Sequence, residues 1–211
     1  MYTGITRGLF PVVSVERREG VTAYAVELPD ELRQGLAPGA SVSIDGACAT
    51  VVRLAGSWVH FEAVAATLAC TTLDTLEVGR RVSIERSIRA GDELGGHDVF
   101  GHVKGTGTVA SRRLLGEQLD LTVRVPHAWM KYILAKGFVA LDGSSLTVDD
   151  PQPELGTFVV HLIPVTQQLT GLGAKQAGDR LNVELDARTV AIVDTVERVL
   201  AARTTTAKVA P

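Results

Sequence analysis

The amino-acid sequence predicts an all-β protein: a tandem duplication of one small antiparallel barrel of about six strands, followed by an α-helix. Three observations predict it. First, the chain repeats itself. LAPGASVSIDGACATV (36–51) returns as ILAKGFVALDGSSLTV (133–148), and ATLACTTLDTLEVGRRVSIE (66–85) returns as VTQQLTGLGAKQAGDRLNVE (165–184). Asp45-Gly46 answers Asp142-Gly143 at an offset of 97 positions, and Glu85 answers Glu184 at an offset of 99. A period of roughly 95 residues describes a doubled module rather than a short solenoid repeat. Second, short β-branched runs are bounded by Gly, Pro and Asp. Third, the residues after the second copy change to helical spacing.

The first copy carries AYAVEL (23–28), SVSI (41–44), ATVVRL (49–54), WVHFEA (58–63) and RVSIE (81–85). The second carries LDLTVRV (119–125), FVALD (138–142), SLTV (145–148), TFVVHLI (157–163) and RLNVELD (180–186). Alternation between turn residues reads as strands, and Asp-Gly between two runs is a hairpin signal. PDELRQGL (29–36) and PHAWMKYIL (126–134) are short helical pieces at equivalent places, each opened by proline. The glycine-rich and charged segment 86–101 joins the modules, so the domains divide as 1–96, 97–187, a helix over 188–203 and a fraying tail, 204–211. In that helix Ile192, Val196 and Val199 share a stripe with Val193 and Leu200 beside it, while Asp194, Glu197 and Arg198 lie on the more exposed side. The stripe either caps the chain's own barrels or forms a self-association seam; pattern alone leaves both open.

Composition narrows the function. The 211 residues are 45% apolar with a formal net charge of −3, so a soluble globular protein is expected. Lys+Arg (21) and Asp+Glu (24) nearly cancel and no basic stripe interleaves with aromatics, which argues against nucleic acid. The start, MYTGITRGLF, does not read as a secretory signal, and no run approaches the ~20 apolar residues of a membrane span. Two cysteines, Cys48 and Cys70, make neither a disulfide framework nor a metal knuckle, and a cytoplasmic setting is expected. Two copies of one pocket can hold two copies of one ligand, so a reaction between like molecules is conceivable.

The segments MYTGI, GASVSIDGACATV, TLEVGRRVSIERS, DELGGHDVFGHVKGTG, MKYILAKGFVALDGSSLTV, HLIPVTQQLTGLG, GDRLNVELD and AIVDTVERVL together resemble the riboflavin synthase family, which includes lumazine-binding proteins. The resemblance runs from residue 1 to about 203. It implies two six-stranded Greek-key barrels, a homotrimer held by the C-terminal helices, sites between barrels of neighbouring subunits, and association with lumazine synthase. The implied reaction moves a four-carbon unit between two molecules of 6,7-dimethyl-8-ribityllumazine. It gives riboflavin and a ribitylamino-pyrimidinedione, and requires no metal or redox cofactor.

Such a site must hold two flat rings face to face, take a proton from an acidic C7 methyl and let a nucleophile add. The resemblance places Ser41, Cys48, His102, Asp142 and Asp186 in the catalytic set. It places Tyr2, Thr50, Ala66, Thr67, His97, Phe100, Lys136, Ser145, Thr147 and Thr166 around the substrate. Cys48 either delivers a nucleophile, hydrogen-bonds the ligand or is inert core. His97 and His102 have no third ligand for a metal; His102 suits a general base or polar contact, because imidazole titrates near neutrality. His97 serves equally as a ligand contact or a loop residue. Asp142 also reads as a turn residue. His60, His127 and His161 read as structural, and Trp58 and Trp129 as packing residues.

The chain departs from the family pattern at Tyr2 (for Phe), Ala49 (for Leu), Ala66 (for Glu), Phe100, Ser144, Val165 and Gly171. Ala49 and Gly171 make room, Phe100 fills it, and Ala66 removes a carboxylate. Two alternatives to a riboflavin synthase therefore stand: a lumazine- or flavin-binding protein without turnover, and an enzyme on this scaffold with a different substrate.

Overall fold

The computed structural model describes residues 1–207, with side chains through Arg203. The first copy contains strands β1 (Gly8–Arg18), β2 (Val21–Glu27), β3 (Ser41–Ile44), β4 (Ala47–Ala55), β5 (Trp58–Val64) and β6 (Arg81–Arg86). They close into an antiparallel barrel in the order β1-β2-β5-β4-β3-β6. The period-2 pattern decides which way each strand faces. Ala47, Ala49 and Val51 of β4 point into the core with Val59, Phe61 and Ala63 of β5, while Cys48, Thr50 and Glu62 are exposed. Helix α1 (Asp30–Arg33) begins behind Pro29, as its proline suggested, and α2 (Ala65–Cys70) follows β5 directly.

The second copy repeats this with β7 (Gly105–Leu115), β8 (Gln118–Arg124), β9 (Phe138–Leu141), β10 (Ser144–Thr147), β11 (Asp149–Gln152), β12 (Thr157–Leu162), α3 (Pro164–Leu169) and β13 (Arg180–Leu185). The strand order is β10-β9-β13-β7-β8-β12-β11, a curled seven-stranded sheet. The extra strand has a local cause. Where β4 runs unbroken, its counterpart is divided at Val148, just before Asp150 takes a φ of 40° ahead of Pro151. The end strands β10 and β11 are thus separated by one residue, and the sheet is the six-stranded plan with its fourth strand split. Val123, Leu141, Phe158, Val160 and Leu181 form its core at 0% exposure, each worth about 1.5–3 kcal/mol when buried. The helical piece at 126–134 is a 3-10 turn, His127–Tyr132.

The copies face each other across a pseudo-twofold axis. Tyr2 N–H donates to Val99 O at 2.6 Å and Val99 N–H returns to Tyr2 O at 3.1 Å, so two residues at equivalent positions pair with each other. Gly46 and Gly143 also meet: a Cβ on Gly46 would lie 2.5 Å from Gly143 N, and one on Gly143 would lie 2.8 Å from Gly46 N. Their φ angles of 83° and 84°, after Asp45 and Asp142 at 46° and 43°, mark two-residue hairpin turns of the primed type. Asn182 seals the seam, donating to Asp45 O and accepting from Thr72 N–H, both at 2.7 Å.

Helix α4 (Ala187–Ala207) extends beyond the expected 188–203 into the segment read as a tail; residues 208–211 lie outside the described residues. Its orientation corrects the polar-face expectation. Asp194 accepts from Tyr132 Oη at 2.5 Å and Glu197 pairs with Lys131, so acidic residues meet the chain's own barrel. Ile192, Val196, Val199 and Leu200 are instead exposed, at 64%, 52%, 48% and 56%. Val190 packs on the second core. Trp58, expected to pack, is also exposed, because it sits on the outward face at the start of β5.

Candidate active site at the barrel junction

Each barrel is preceded by a lead segment, residues 2–6 and 99–103, and each lead segment is held by one buried carboxylate. Glu85, in β6, accepts from Thr3 N–H (2.7 Å), Thr3 Oγ1 (2.7 Å) and Gly4 N–H (3.0 Å). Glu184, in β13, accepts from the backbone N–H groups of Phe100 (2.7 Å), Gly101 (2.9 Å) and His102 (3.1 Å). Burial pushes both carboxyls above their ordinary range, with these hydrogen bonds pulling the other way.

So fixed, each lead segment reaches the opposite barrel. Gly101 O accepts from Cys48 N–H at 3.0 Å, and Gly4 O accepts from Ser145 N–H at 2.9 Å. Gly101 stands so close that a Cβ would fall 2.7 Å from Cys48 Cβ; at Gly4 it would fall 2.5 Å from Ser145 Cβ. Glycine is needed at both for contact and for φ, 76° in each. Cys48 and Ser145 are equivalent positions in the two copies, and each meets a buried ring. Tyr2 Oη donates to Cys48 Sγ at 3.2 Å, and His97 Nδ1 lies 2.6 Å from Ser145 Oγ. Burial raises the Tyr2 phenol far above its ordinary value, with Cys48 reinforcing the shift, so the hydroxyl keeps its proton.

Several residues selected from the sequence gather into two open faces. On the first, Cys48 and Thr50 are exposed along β4, and half-buried Ser41 pairs with Thr50 across the sheet. The register Val51↔Phe61 brings the end of β5, and with it Ala66 and Thr67 of α2, to the Cys48 end. His102 follows Gly101 and is exposed, but its ring stacks on Phe100 toward α4 rather than lying beside Cys48. On the second face, Ser145 and Thr147 lie along β10, and the register Asp149↔Val159 brings Thr166 of α3 to the Ser145 end. Thr67 O and Thr166 O each accept from a hydroxyl four residues on, at 2.7 Å, so the two helices are tied alike.

Others hold the fold. Asp142 accepts from Asn182 N–H at 2.7 Å and lies 3.4 Å from Lys175 Nζ, inside its turn. Asp45 mirrors it, accepting from Ser83 N–H at 2.7 Å and pairing with Arg80 at 2.8 Å; burial, then Asp142, pushes its carboxyl up to about 6. Asp186 caps α4, accepting from Thr189 N–H and Oγ1 at 2.8 and 2.5 Å. Burial pushes Asp186 up, but the Thr189 bonds outweigh it and hold the carboxyl below its usual range. Lys136 is exposed and pairs with Asp149 at 2.6 Å; Asp149 also meets His161, whose other nitrogen reaches Asp120.

Two cavities occupy equivalent places behind the lead segments. One of about 1000 Å³ is lined by Thr3, Arg7, Glu85 and the connection after β6. The other, about 300 Å³, is lined by Phe100, His102, Glu184 and α4. Phe100 and His102 stack there, ring centroids 6.1 Å apart. Cys48, Thr50, Ser145 and Thr147 line neither. Sequence reasoning used Glu85 and Glu184 only as markers of the repeat. An acid recurring at the same place near the end of an alternating strand in both copies was the signal for their structural work.

A duplicated barrel with paired open polar faces defines a class. The lumazine binding domain family matches residues 3–87 and again 100–186. Riboflavin synthase of Escherichia coli (strain K12) is 44% identical over 204 residues, covering 96% of this chain and 95% of the relative. Riboflavin synthase of Brucella abortus (strain 2308) is 39% identical over 197 residues, covering 88% and 93%. The fold matches the crystal structure of LumP complexed with riboflavin at a TM-score of 0.81 and 24% identity, covering 88% of this chain and 99% of the other. LumP complexed with 6,7-dimethyl-8-(1'-D-ribityl) lumazine gives 0.78 and 23% over the same shares. The chain belongs to the riboflavin synthase family of lumazine-binding-domain proteins.

Proposed function

We propose that the chain is a riboflavin synthase that dismutates two molecules of 6,7-dimethyl-8-ribityllumazine into riboflavin and a ribitylamino-pyrimidinedione. The observation that carries this is the matched pair of open faces, Cys48–Thr50–Thr67 and Ser145–Thr147–Thr166, each finished by the other copy's lead segment. Each face offers hydroxyl and strand backbone groups to the edge of one flat heterocycle, and the first adds the Cys48 thiol. Both are uncovered in a single chain, so a second copy would bring face to face what one copy leaves apart. The exposed stripe Ile192–Val196–Val199 on α4 suits that assembly, read here as a homotrimer.

Ring stacking converts an encounter of two substrates into a reaction within one complex, worth about 7–11 kcal/mol in good intramolecular cases. His102 takes the C7 methyl proton of one lumazine, and Cys48 delivers or positions the nucleophile on the other. Asp142 and Asp186 act through the fold, by shaping the second turn and the start of α4. The purified chain given dimethyl-ribityllumazine should develop riboflavin fluorescence; bound, unconverted lumazine would instead support a binding protein. That second reading is favoured by one residue, Ala66, which leaves α2 without a carboxylate.

A further inference from the structure

The cavity behind the first lead segment is about 1000 Å³, against about 300 Å³ for its counterpart, and the cause lies in how the two copies end. In the second copy α4 leaves β13 and walls the groove with Ala187, Val190 and Ala191, while its Asp194 meets Lys131 and Tyr132. In the first copy the chain after β6 crosses to the second barrel through residues 87–95 without forming a helix. Gly35, the counterpart of Tyr132 at an offset of 97 positions, adds no ring to the groove. Arg89 takes part of that space: its Nη2 lies 3.2 Å from where a Gly35 Cβ would stand.

Three guanidinium groups line this groove, those of Arg7, Arg86 and Arg89, and none is in an ion pair among the described residues. Arg86 is half-buried and pinned, its Nη1 donating to Leu32 O at 2.7 Å and to Gln34 O at 3.4 Å. Burial, then the charge of Arg89 beside it, push Arg86 below the ordinary arginine range, so two like charges are held together uncompensated. The nearby carboxylates do not relieve them. Glu85 is spent on Thr3 and Gly4, with Arg7 acting on it only through space, and Asp92 accepts from Arg89 N–H at 2.8 Å. Glu31 and Glu93 line the groove, exposed and without a hydrogen-bond partner among the described residues.

We propose that this groove is a binding site for a phosphorylated polyol, with the phosphate on the Arg86–Arg89 pair and the hydroxyl groups on Glu31 and Glu93. A guanidinium fork matches phosphate oxygens two N–H groups at a time. Ionised carboxylates only accept hydrogen bonds, so they repel the phosphate and take hydroxyl protons, which fixes the direction in which the ligand lies. The volume is that of a site for a small organic molecule rather than a bare anion. Cys48, Thr50, Ser145 and Thr147 do not line it, so the site is separate from both open faces and independent of the reaction proposed for them.

Isothermal titration of the full chain with sorbitol 6-phosphate tests this, beside sorbitol and inorganic phosphate alone. The ester should bind about tenfold or more tighter than either part, and added salt should weaken it. Arg89→Gln should weaken the ester about tenfold or more, the scale of a hydrogen bond between charged groups. Glu93→Gln should weaken the ester while leaving inorganic phosphate no weaker. Both side chains are exposed, so the urea midpoint should stay in place in each variant. Saturating riboflavin should not displace the ester. The proposal is overturned by a wild type that does not bind the ester, by undiminished ester binding in Arg89→Gln, or by inorganic phosphate binding as tightly as the ester. Displacement by riboflavin overturns it too, because the ester would then lie on the open faces.

Discussion

The hydroxyl of Tyr2 donates to Sγ of Cys48 across 3.2 Å, joining a ring at 0% exposure to a thiol on the open face of β4. The ring also pairs through its backbone with Val99 on the pseudo-twofold axis, so it fills the junction as well as touching the site. These two jobs separate by substitution. Tyr2→Phe should cost about 0.5–1.5 kcal/mol in urea unfolding, one net hydrogen bond. It should leave riboflavin formation within a few-fold, since the ring and its packing at the junction are kept. Tyr2→Ala should cost about 3–5 kcal/mol through the cavity it opens. Equal destabilisation by both would remove the junction-filling role.

His102 makes its fold contact through the backbone, donating N–H to Glu184, and its imidazole is exposed beside Phe100. His102→Gln should therefore leave the unfolding midpoint in place while slowing riboflavin formation by about 10²-fold or more, the scale of a positioned proton acceptor. Cys48→Ser should slow it as well, with fold retained. Wild-type rates in both variants would take the proposed roles away from His102 and Cys48.

Glu184 accepts three backbone N–H groups, and Glu184→Gln keeps one oxygen while turning an amide donor toward other donors. The expected loss is about 1.5–3 kcal/mol. Because the lead segment then loosens in front of Cys48, turnover should fall by more than the lost folded fraction accounts for. A change in stability with turnover intact would confine Glu184 to the scaffold.

How far these contacts were legible in the sequence follows from their range. The repeat, the Asp-Gly turns and most strands depend on neighbours a few residues away, and were readable. β1 and β7 were not, because Pro11 and the charged ends Arg17-Arg18 and Arg112-Arg113 mask their alternation. α2 and α3 are six residues each, too short for a periodic signal. The split of β10 from β11 needed the backbone at Asp150. At the site, residue types were readable by resemblance, but not that Asp186 is a helix cap. Nor were the links from Gly101 to Cys48 or from His97 to Ser145, which join residues about fifty positions apart.

Asp45 should contribute a fall in stability as pH rises through the weakly acidic range, against the rise that buried His97 contributes there. Asp45 is pushed from the ordinary aspartate value of 3.8 up to about 6 by burial and by Asp142. A raised folded value means the native state holds its proton longer than the unfolded chain. The contribution is therefore full below about 3.8 and is lost as pH climbs through about 6. Glu85 and Glu184, both raised, act in the same direction. Between pH 4.5 and 7.5 the wild-type urea midpoints should decline relative to those of Asp45→Asn, which cannot titrate at this position. Parallel curves for variant and wild type would place the titration elsewhere.

The last expectation concerns α4, whose acidic residues meet the barrel while its apolar stripe points away. Lys131–Glu197 and Tyr132–Asp194 hold the helix to its own chain, and Val196 lies outside those pairs at 52% exposure. An aspartate at Val196 should thus cost the single chain little, since nothing of its own barrel is displaced. In an assembly built on the stripe the same carboxylate is buried among apolar side chains, which is strongly unfavourable. Val196→Asp should sediment as a monomer with an unchanged β-type circular dichroism spectrum. It should lose riboflavin formation, because the two open faces no longer meet, yet keep binding riboflavin weakly on either face. A monomeric variant with full turnover would show that one chain completes the reaction unaided.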